Sequence, residues 1–359
     1  DPEHPGGKTK GLTPDVMNKI LMNVIKDLDE TTDYMKRRRA MDDYAVSKKD
    51  KPAKSYNPNP SGKTDYQKVS PNDLTYFSHP YDPKKPDTYS AWTSKVIDNK
   101  SPRVMIFIHG YQNSWSKVTS IDPEGLSGMV SNFYGIPDNP FIAPNTQQIS
   151  TPYPGTIILF DWPSYFEIEI LHPEKSYKKA KKKARKTAEH SMVYLNALID
   201  TIHRSGKKVD IVCHSMGNYV FQQGAESLSE GVIDTCLLNA AAISSDSFVS
   251  SGSKFTNADG IIQSLVSGTN TQVLWSSHDD ALPLAERIDP WGTKCHTPGP
   301  GELGLDGPTE GSVQFDNHDL STFVKKTNDK PGGGASTVHT SYYYLQSTLD
   351  QMIALMTRG

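Results

Sequence analysis

Five short apolar runs constrain the fold of this chain more than any other feature of its sequence. The runs occupy residues 104–108, 157–160, 209–213, 236–240 and 273–275. They do not alternate cleanly between apolar and polar residues, which is typical of strands buried on both faces of a parallel sheet. Stretches with helical spacing of apolar residues separate several of the runs. Strands that alternate with helices predict an α/β fold with an open, doubly wound and mostly parallel sheet that carries helices on both faces.

The remaining sequence predicts further segments around this sheet. Apolar residues recur at every fourth position early in residues 1–46, which predicts an N-terminal helical extension. Residues 47–71 are rich in Lys, Pro, Asn and Ser, which is typical of a linker. We therefore expect one large α/β domain over residues 72–359. Within it, the long Gly- and Pro-rich stretch at 283–337 predicts a lid-like insertion.

Charge and hydropathy limit the partners of the chain. Its 38 basic and 41 acidic residues give a net charge of −3, so nothing in the overall charge favours nucleic acid as a partner. The sequence contains no run of about 18 apolar residues, which predicts that no helix spans a membrane. Because no apolar signal segment is visible, we expect a soluble protein that is either cytoplasmic or secreted without such a signal.

One short segment is strongly basic although the whole chain is nearly neutral. Seven of the nine residues from Lys178 to Lys186 are Lys or Arg. On a helix, such a run usually forms a solvated face. The alternative is that it contacts anionic phospholipid head groups or an acidic partner.

The most informative motif is Cys213-His214-Ser215-Met216-Gly217, which lies between an apolar run and a helical stretch. At a sharp strand-to-helix turn, small residues two positions before and after a serine allow that serine to project from the sheet as a nucleophile. Gly217 fits this requirement, and Cys213 is small enough to fit. The helix behind Ser215 would direct backbone N–H groups towards developing negative charge. Ser215 is therefore the candidate nucleophile, and an ordinary strand-to-helix turn is the alternative.

A serine nucleophile needs a histidine base and an acid that orients it. On this kind of turn, the acid and then the histidine follow the serine in the chain. Asp279, shortly after the last apolar run, is the candidate acid, and Asp280 is its competitor. His339, in a predicted short loop before the last helix, is the candidate base. His318 is its rival, with a surface position or weak metal ligation as alternative roles.

These motifs resemble those of the α/β-hydrolase superfamily, and they are most similar to a largely bacterial branch of it. Members of the branch carry His-Gly-Tyr-x-Asn after one strand, Trp-Pro-Ser after the next and His-Ser-Met-Gly-Asn at the serine turn. An Asp-x-Ala-Leu segment and a late His close to Ser-Tyr-Tyr follow. The matching segments here begin at His109, Trp162, His214, Asp279 and His339. The resemblance spans roughly residues 100–355.

The resemblance implies a serine carboxylic-ester hydrolase that is lipase- or phospholipase-like and works through an acyl-enzyme. It implies a triad of Ser215, Asp279 and His339, and an oxyanion hole formed by the amides of Tyr111 and Met216. We expect an ester or lipid substrate and neither a metal nor an organic cofactor. Two alternatives stay open. One is a secreted effector lipase that acts on target-cell membranes, and the other is a catalytically inactive binding module with the same fold.

Overall fold

The computed structural model describes the main elements of the α/β domain. The described residues are 74–76, 97–98, 101–111, 113, 126–134, 152–160, 162, 164, 173–225, 228–229, 231–245, 247, 270–283, 303–308, 316–322 and 338–358. The expected helical extension at 1–46 and linker at 47–71 lie outside these residues, so that division of the chain stays a prediction.

Seven parallel strands form one sheet. They are β1 (Leu74–Tyr76), β2 (Arg103–Ile108), β3 (Thr156–Phe160), β4 (Lys208–His214), β5 (Thr235–Asn239), β6 (Asn270–Trp275) and β7 (Asp316–Asp319). Their order across the sheet is β1-β3-β2-β4-β5-β6-β7, and every neighbouring pair is parallel. From β2 the chain adds β3 on one side and then β4 to β7 on the other, which confirms the predicted doubly wound parallel sheet.

Helices cover both faces of this sheet. They are α1 (Leu126–Ser131), α2 (Pro173–Arg204), α3 (Met216–Gly224), α4 (Leu303–Asp306), α5 (Val338–Ser341) and α6 (Gln346–Thr357), with a short 3-10 helix at Asn132–Tyr134. Residues of α2 and α3 share a buried cluster with Val104, Ile106 and Ile108 of β2. Residues of α1 and α6 share a second cluster with Met105 and Phe107. Successive β2 side chains therefore point to opposite faces and are all buried, which explains why the apolar run does not alternate.

Both edge strands of the sheet were missed by the sequence patterns. β1 has three residues, and β7 has the sequence Asp-Asn-His-Asp without an apolar residue. A strand at an edge has one neighbour and carries polar residues without penalty, so it leaves no apolar run. β7 and α4 both lie within 283–337, and Leu303 of α4 is fully buried. These parts of the expected insertion belong to the α/β domain, while most of the remaining segment lies outside the described residues.

A buried ion pair joins the central strands β2 and β4. Nη2 of Arg103 lies 2.6 Å from Oδ1 of Asp210, and Nε lies 2.9 Å from Oδ2. The hydroxyl of Tyr153 also donates to Oδ2, at 2.8 Å. Both charged side chains are buried. Because they are removed from water, each charge depends on the other for compensation.

We expect the replacement Asp210→Asn to lower the free energy of unfolding by about 3–5 kcal/mol, because it leaves the Arg103 guanidinium buried without a counter-charge. Urea unfolding followed by circular dichroism measures this loss. The double replacement Arg103→Met with Asp210→Leu should recover part of it, since no charge then stays buried. A single variant as stable as the wild type would contradict this role of the pair.

Candidate active site

Ser215 lies between β4 and α3 in a strained backbone conformation. Its φ of 54° and ψ of −126° fall outside the regions that non-glycine residues ordinarily adopt. The main-chain N–H of Ser215 donates to the carbonyl of Asn239 at 3.1 Å, and its carbonyl accepts from the N–H of Ala242 at 3.2 Å. The side-chain amide of Asn218 donates to the same carbonyl at 3.0 Å. These bonds hold the strand-to-helix turn at Ser215, here called the elbow, at the C-terminal edge of the sheet.

Two glycines allow the backbone to close around Ser215. A Cβ atom on Gly217 would collide with the carbonyl oxygens of Ile108 and His109, the second at 2.7 Å. A Cβ atom on Gly110 would lie 2.7 Å from Cβ and 3.2 Å from Oγ of Ser215. The need for a small residue at Gly217 is therefore steric, and Gly110 adds a second close approach on the β2 side.

His339 and Asp279 form a hydrogen-bonded pair. Nδ1 of His339 lies 2.7 Å from Oδ2 of Asp279, whose side chain is fully buried. The other oxygen, Oδ1, accepts from the N–H groups of Ala281 and Leu282 at 2.9 and 3.0 Å. Burial raises the pKa of this carboxyl, but His339 and the two N–H groups outweigh burial and bring the pKa below its ordinary value. An ionised Asp279 fixes the hydrogen of His339 on Nδ1, so Nε2 is the nitrogen left to accept a proton.

The two competing residues have different surroundings. The Asp280 carboxylate accepts from the main-chain N–H of His339, at 3.4 Å. His318 lies on β7, where its ring nitrogens contact Oε1 of Gln272 at 2.6 Å and Nε2 of Gln351 at 3.0 Å. His339 itself belongs to the short helix α5 rather than to the loop that the sequence predicted. Asp279 is therefore the carboxylate that contacts the His339 ring, whereas Asp280 contacts its backbone and His318 lies on an edge strand.

His339 contacts His214, the residue before Ser215, and this contact shows that His339 lies close to the elbow. The two histidine rings have centroids 4.7 Å apart. Nε2 of His214 also lies 3.0 Å from the carbonyl oxygen of His339. The structure thus brings Ser215, His339 and Asp279 to one edge of the sheet. The sequence patterns predicted no role for His214. Only its position directly before Ser215 could have indicated one.

Tyr111 and Met216 carry the backbone N–H groups that are the expected oxyanion donors. Met216 directly follows Ser215 in the chain. Met216 is buried and is the first residue of α3, where backbone N–H groups are available to an anion. Tyr111 follows Gly110, the glycine that contacts Ser215. The Tyr111 ring packs edge-on against Tyr177 of α2, with centroids 5.6 Å apart.

Polar contacts tie the loop that carries Tyr111 to the segment after β3. Nε1 of Trp162 donates to the carbonyl of His109 at 2.6 Å, and the main-chain N–H of Trp162 donates to Nε2 of His109 at 3.2 Å. The N–H of Asn113 donates to Oγ of Ser164, and Oγ donates to the carbonyl of Asn113, both at 3.1 Å. These side chains are buried. The His-Gly-Tyr-x-Asn and Trp-Pro-Ser motifs therefore hold each other in place through these four residues.

The basic run lies on the first half of α2, near the candidate site. Its exposed side chains, named here the cationic face, are Lys178, Lys179, Lys182 and Arg185. The opposite side of the helix, with Ala180 and Ala184, is buried in the core. Nζ of Lys181 lies 5.2 Å from the ring centroid of Tyr219 in α3, the helix that begins at the elbow. Among the described helices, none is long and apolar enough to cross a membrane.

Comparisons with solved structures return distant likenesses. Phospholipase PlaB from Legionella pneumophila, in complex with thio-NAD, is 11% identical over 71% of this chain and 58% of that chain, with a TM-score of 0.32. TT1662 from Thermus thermophilus is 14% identical over 71% of this chain and 88% of that chain, with a TM-score of 0.28. This chain thus spans less than two thirds of the length of the phospholipase. At these TM-scores neither likeness indicates a substrate. No curated protein matches the chain.

The comparison with protein families is more informative. The model of a family described as alpha/beta hydrolase of unknown function (DUF900) matches residues 85–290, which is more than half of the chain. The match includes β2 to β6 and the elbow at Ser215, and it agrees with the doubly wound parallel sheet. The chain belongs to this family of α/β hydrolases.

Proposed function

We propose that this protein is a serine hydrolase of carboxylic esters, with Ser215 as nucleophile, His339 as general base and Asp279 as the residue that orients the base. The observation that carries the proposal is the strained turn at Ser215 together with a histidine that pairs with a buried carboxylate and contacts the residue before that serine. Acyl transfer through a serine uses this combination of a nucleophile, a base and an anion that orients the base. The fold alone would not assign an activity, because the same fold serves many chemistries.

In the first half of the proposed reaction, Nε2 of His339 takes the proton of Ser215 while Oγ bonds to the ester carbonyl carbon. The carbonyl electron pair moves to oxygen, and the N–H groups of Tyr111 and Met216 donate to this oxyanion. The bond to the alcohol then breaks, and His339 returns its proton to the leaving oxygen. Asp279 stabilises the imidazolium that exists between the two proton transfers.

Water completes the second half by the same route. His339 takes a proton from water as the water oxygen bonds to the acyl carbon. The bond between that carbon and Oγ breaks, and the proton returns to Ser215. This half releases a carboxylic acid and the free enzyme. The whole cycle therefore converts one ester and one water into one alcohol and one carboxylic acid, and it needs no oxidant or reductant.

Replacement of the triad residues tests this mechanism. Ser215→Ala should abolish both aryl-ester hydrolysis and covalent labelling by a fluorophosphonate. Asp279→Asn should lower kcat by about 10⁴-fold, because a neutral amide no longer holds the hydrogen of His339 on Nδ1. His339→Ala should lower kcat to a similar extent through the loss of the base. Steady-state kinetics with an aryl ester and mass spectrometry of the labelled peptide measure these effects.

The competing residues supply matched controls, since Asp280→Asn and His318→Ala make the same chemical changes outside the proposed triad. Both variants should keep most of the kcat of the wild type, because the amide oxygen in Asp280→Asn can still accept from the main-chain N–H of His339. A control that loses as much activity as its partner would contradict the assignment of the acid or the base. Folded wild-type protein that resists labelling at Ser215 would contradict the hydrolase and favour the binding module.

We further propose that the substrate is a lipid presented at an anionic surface, which makes the enzyme lipase- or phospholipase-like. The cationic face supports this proposal, because it lies on the helix whose Tyr177 packs against Tyr111 of the expected oxyanion loop. Each Lys or Arg close to an anionic lipid surface contributes about 1 kcal/mol to binding. An exported lipase that acts on the membranes of other cells would use the same surface.

Charge reversal on α2 tests the lipid contact. Lys182→Glu, on the cationic face, should weaken binding to phosphatidylglycerol vesicles by about 30-fold, since the reversal removes roughly 2 kcal/mol of attraction. Arg204→Glu, at the opposite end of the same helix, makes the same change in charge and should leave binding unchanged. Co-sedimentation with phosphatidylglycerol and with phosphatidylcholine vesicles measures the effect. Equal losses in the two variants, or equal binding to both lipids, would contradict a specific contact.

A further inference from the structure

We propose that His214 is a positioning residue that holds the backbone of His339 in place and so couples the catalytic base to the nucleophile elbow. The proposal rests on the proposed hydrolase function, because the position of His339 matters for catalysis only if His339 is the base. It assigns a task to the residue that directly precedes Ser215.

The hydrogen bond between the two histidines defines the state of the His214 ring. Nε2 of His214 lies 3.0 Å from the main-chain carbonyl oxygen of His339. A carbonyl oxygen only accepts hydrogen bonds, so Nε2 must carry the hydrogen and donate it. The His214 ring is therefore an Nε2–H imidazole whose donor points at the backbone of α5.

His214 is neutral as well as fixed. Burial lowers its pKa to about 3, and the neighbouring His339 contributes to this shift. A neutral ring suits this position, because a second positive charge 4.7 Å from the His339 ring would oppose the imidazolium that forms during proton transfer. The site thus contains two adjacent histidines, and among the described residues it is His339 that pairs with a carboxylate.

The packing around His214 leaves the ring little freedom to move. On one side it contacts His339, and on another side the edge of Tyr343, with centroids 5.3 Å apart and planes at 85°. Tyr343 is fully buried and packs in turn against Phe107 of β2. His214 is therefore wedged between the segment that carries the base and an aromatic side chain of the core.

The backbone of His339 needs such an anchor. It belongs to α5, which has four residues, and a helix this short has little stability of its own. Asp279 holds the side chain of His339, and Asp280 accepts from its main-chain N–H at the long distance of 3.4 Å. His214 holds its carbonyl, at 3.0 Å, from the residue next to Ser215. A misplacement of about 1 Å in a catalytic group can cost on the order of 10²-fold in rate. The hydrogen bond thus fixes the base relative to the nucleophile.

Two replacements of His214 distinguish its hydrogen bond to His339 from its packing in the core. Gln places an amide N–H close to the position of Nε2, whereas Leu fills similar space without a donor. We expect His214→Leu to lower kcat for an aryl ester by about 10²-fold with little change in KM, and to slow fluorophosphonate labelling of Ser215 in parallel. His214→Gln should restore most of the rate, and thermal denaturation should show both variants folded. Equal losses in the two variants, or no loss in His214→Leu, would overturn the proposal.

A measurement without catalysis keeps the test independent of the proposed function. In the wild-type protein with ¹⁵N-labelled histidine, NMR should show one ring, absent from His214→Gln, that stays in the Nε2–H form from roughly pH 5 to 8. A ring that titrates in this range, or that carries its hydrogen on Nδ1, would overturn the positioning role. If this tautomer is found but the folded wild type neither hydrolyses esters nor reacts at Ser215, the hydrolase proposal fails and the positioning role fails with it.

Discussion

The backbone of Ser215 is the constraint on which the candidate site depends. A residue with a side chain takes φ 54° and ψ −126° only where surrounding contacts offset the strain. Here the offset comes from hydrogen bonds to Asn239, Ala242 and Asn218. The close approach of Gly217 to β2 leaves the turn little room to relax. β2, β4 and β5 must therefore be in register before the serine can project from the sheet.

Several buried polar groups at the C-terminal edge of the sheet are hydrogen-bonded to one another, and these bonds hold the segments that follow the strands. Buried polar atoms without partners would cost free energy, so each contact limits the movement of its neighbours. His109 with Trp162 fixes the loop after β2, and Asp279 with His339 fixes the segments after β6 and in α5. The order of this edge follows from hydrogen bonding in a dry environment, whereas the order of the sheet interior follows from apolar packing.

The interior of the sheet was predictable from the sequence, and its edges were not. β2 to β6 are buried, and burial on both faces requires the apolar runs that predicted these strands. β7 has only polar residues, and β1 is too short for a run. Their pairing with β6 and β3 depends on backbone hydrogen bonds, which do not require a particular side chain. The same reason hides β7 within the Gly- and Pro-rich segment.

The sequence by itself determined the centre of the sheet, and it predicted the turn at Ser215 and a short set of candidate acids and histidines. These features are local, because a buried strand requires a run of apolar residues and the turn at Ser215 requires a small residue at Gly217. Only the tertiary structure decided that Asp279 rather than Asp280 meets the His339 ring, that His318 lies on an edge strand, and that His214 contacts His339. Such contacts join residues as much as 125 positions apart in the chain. They arise because parallel strands carry distant segments to one edge of the sheet, and no local pattern records that convergence.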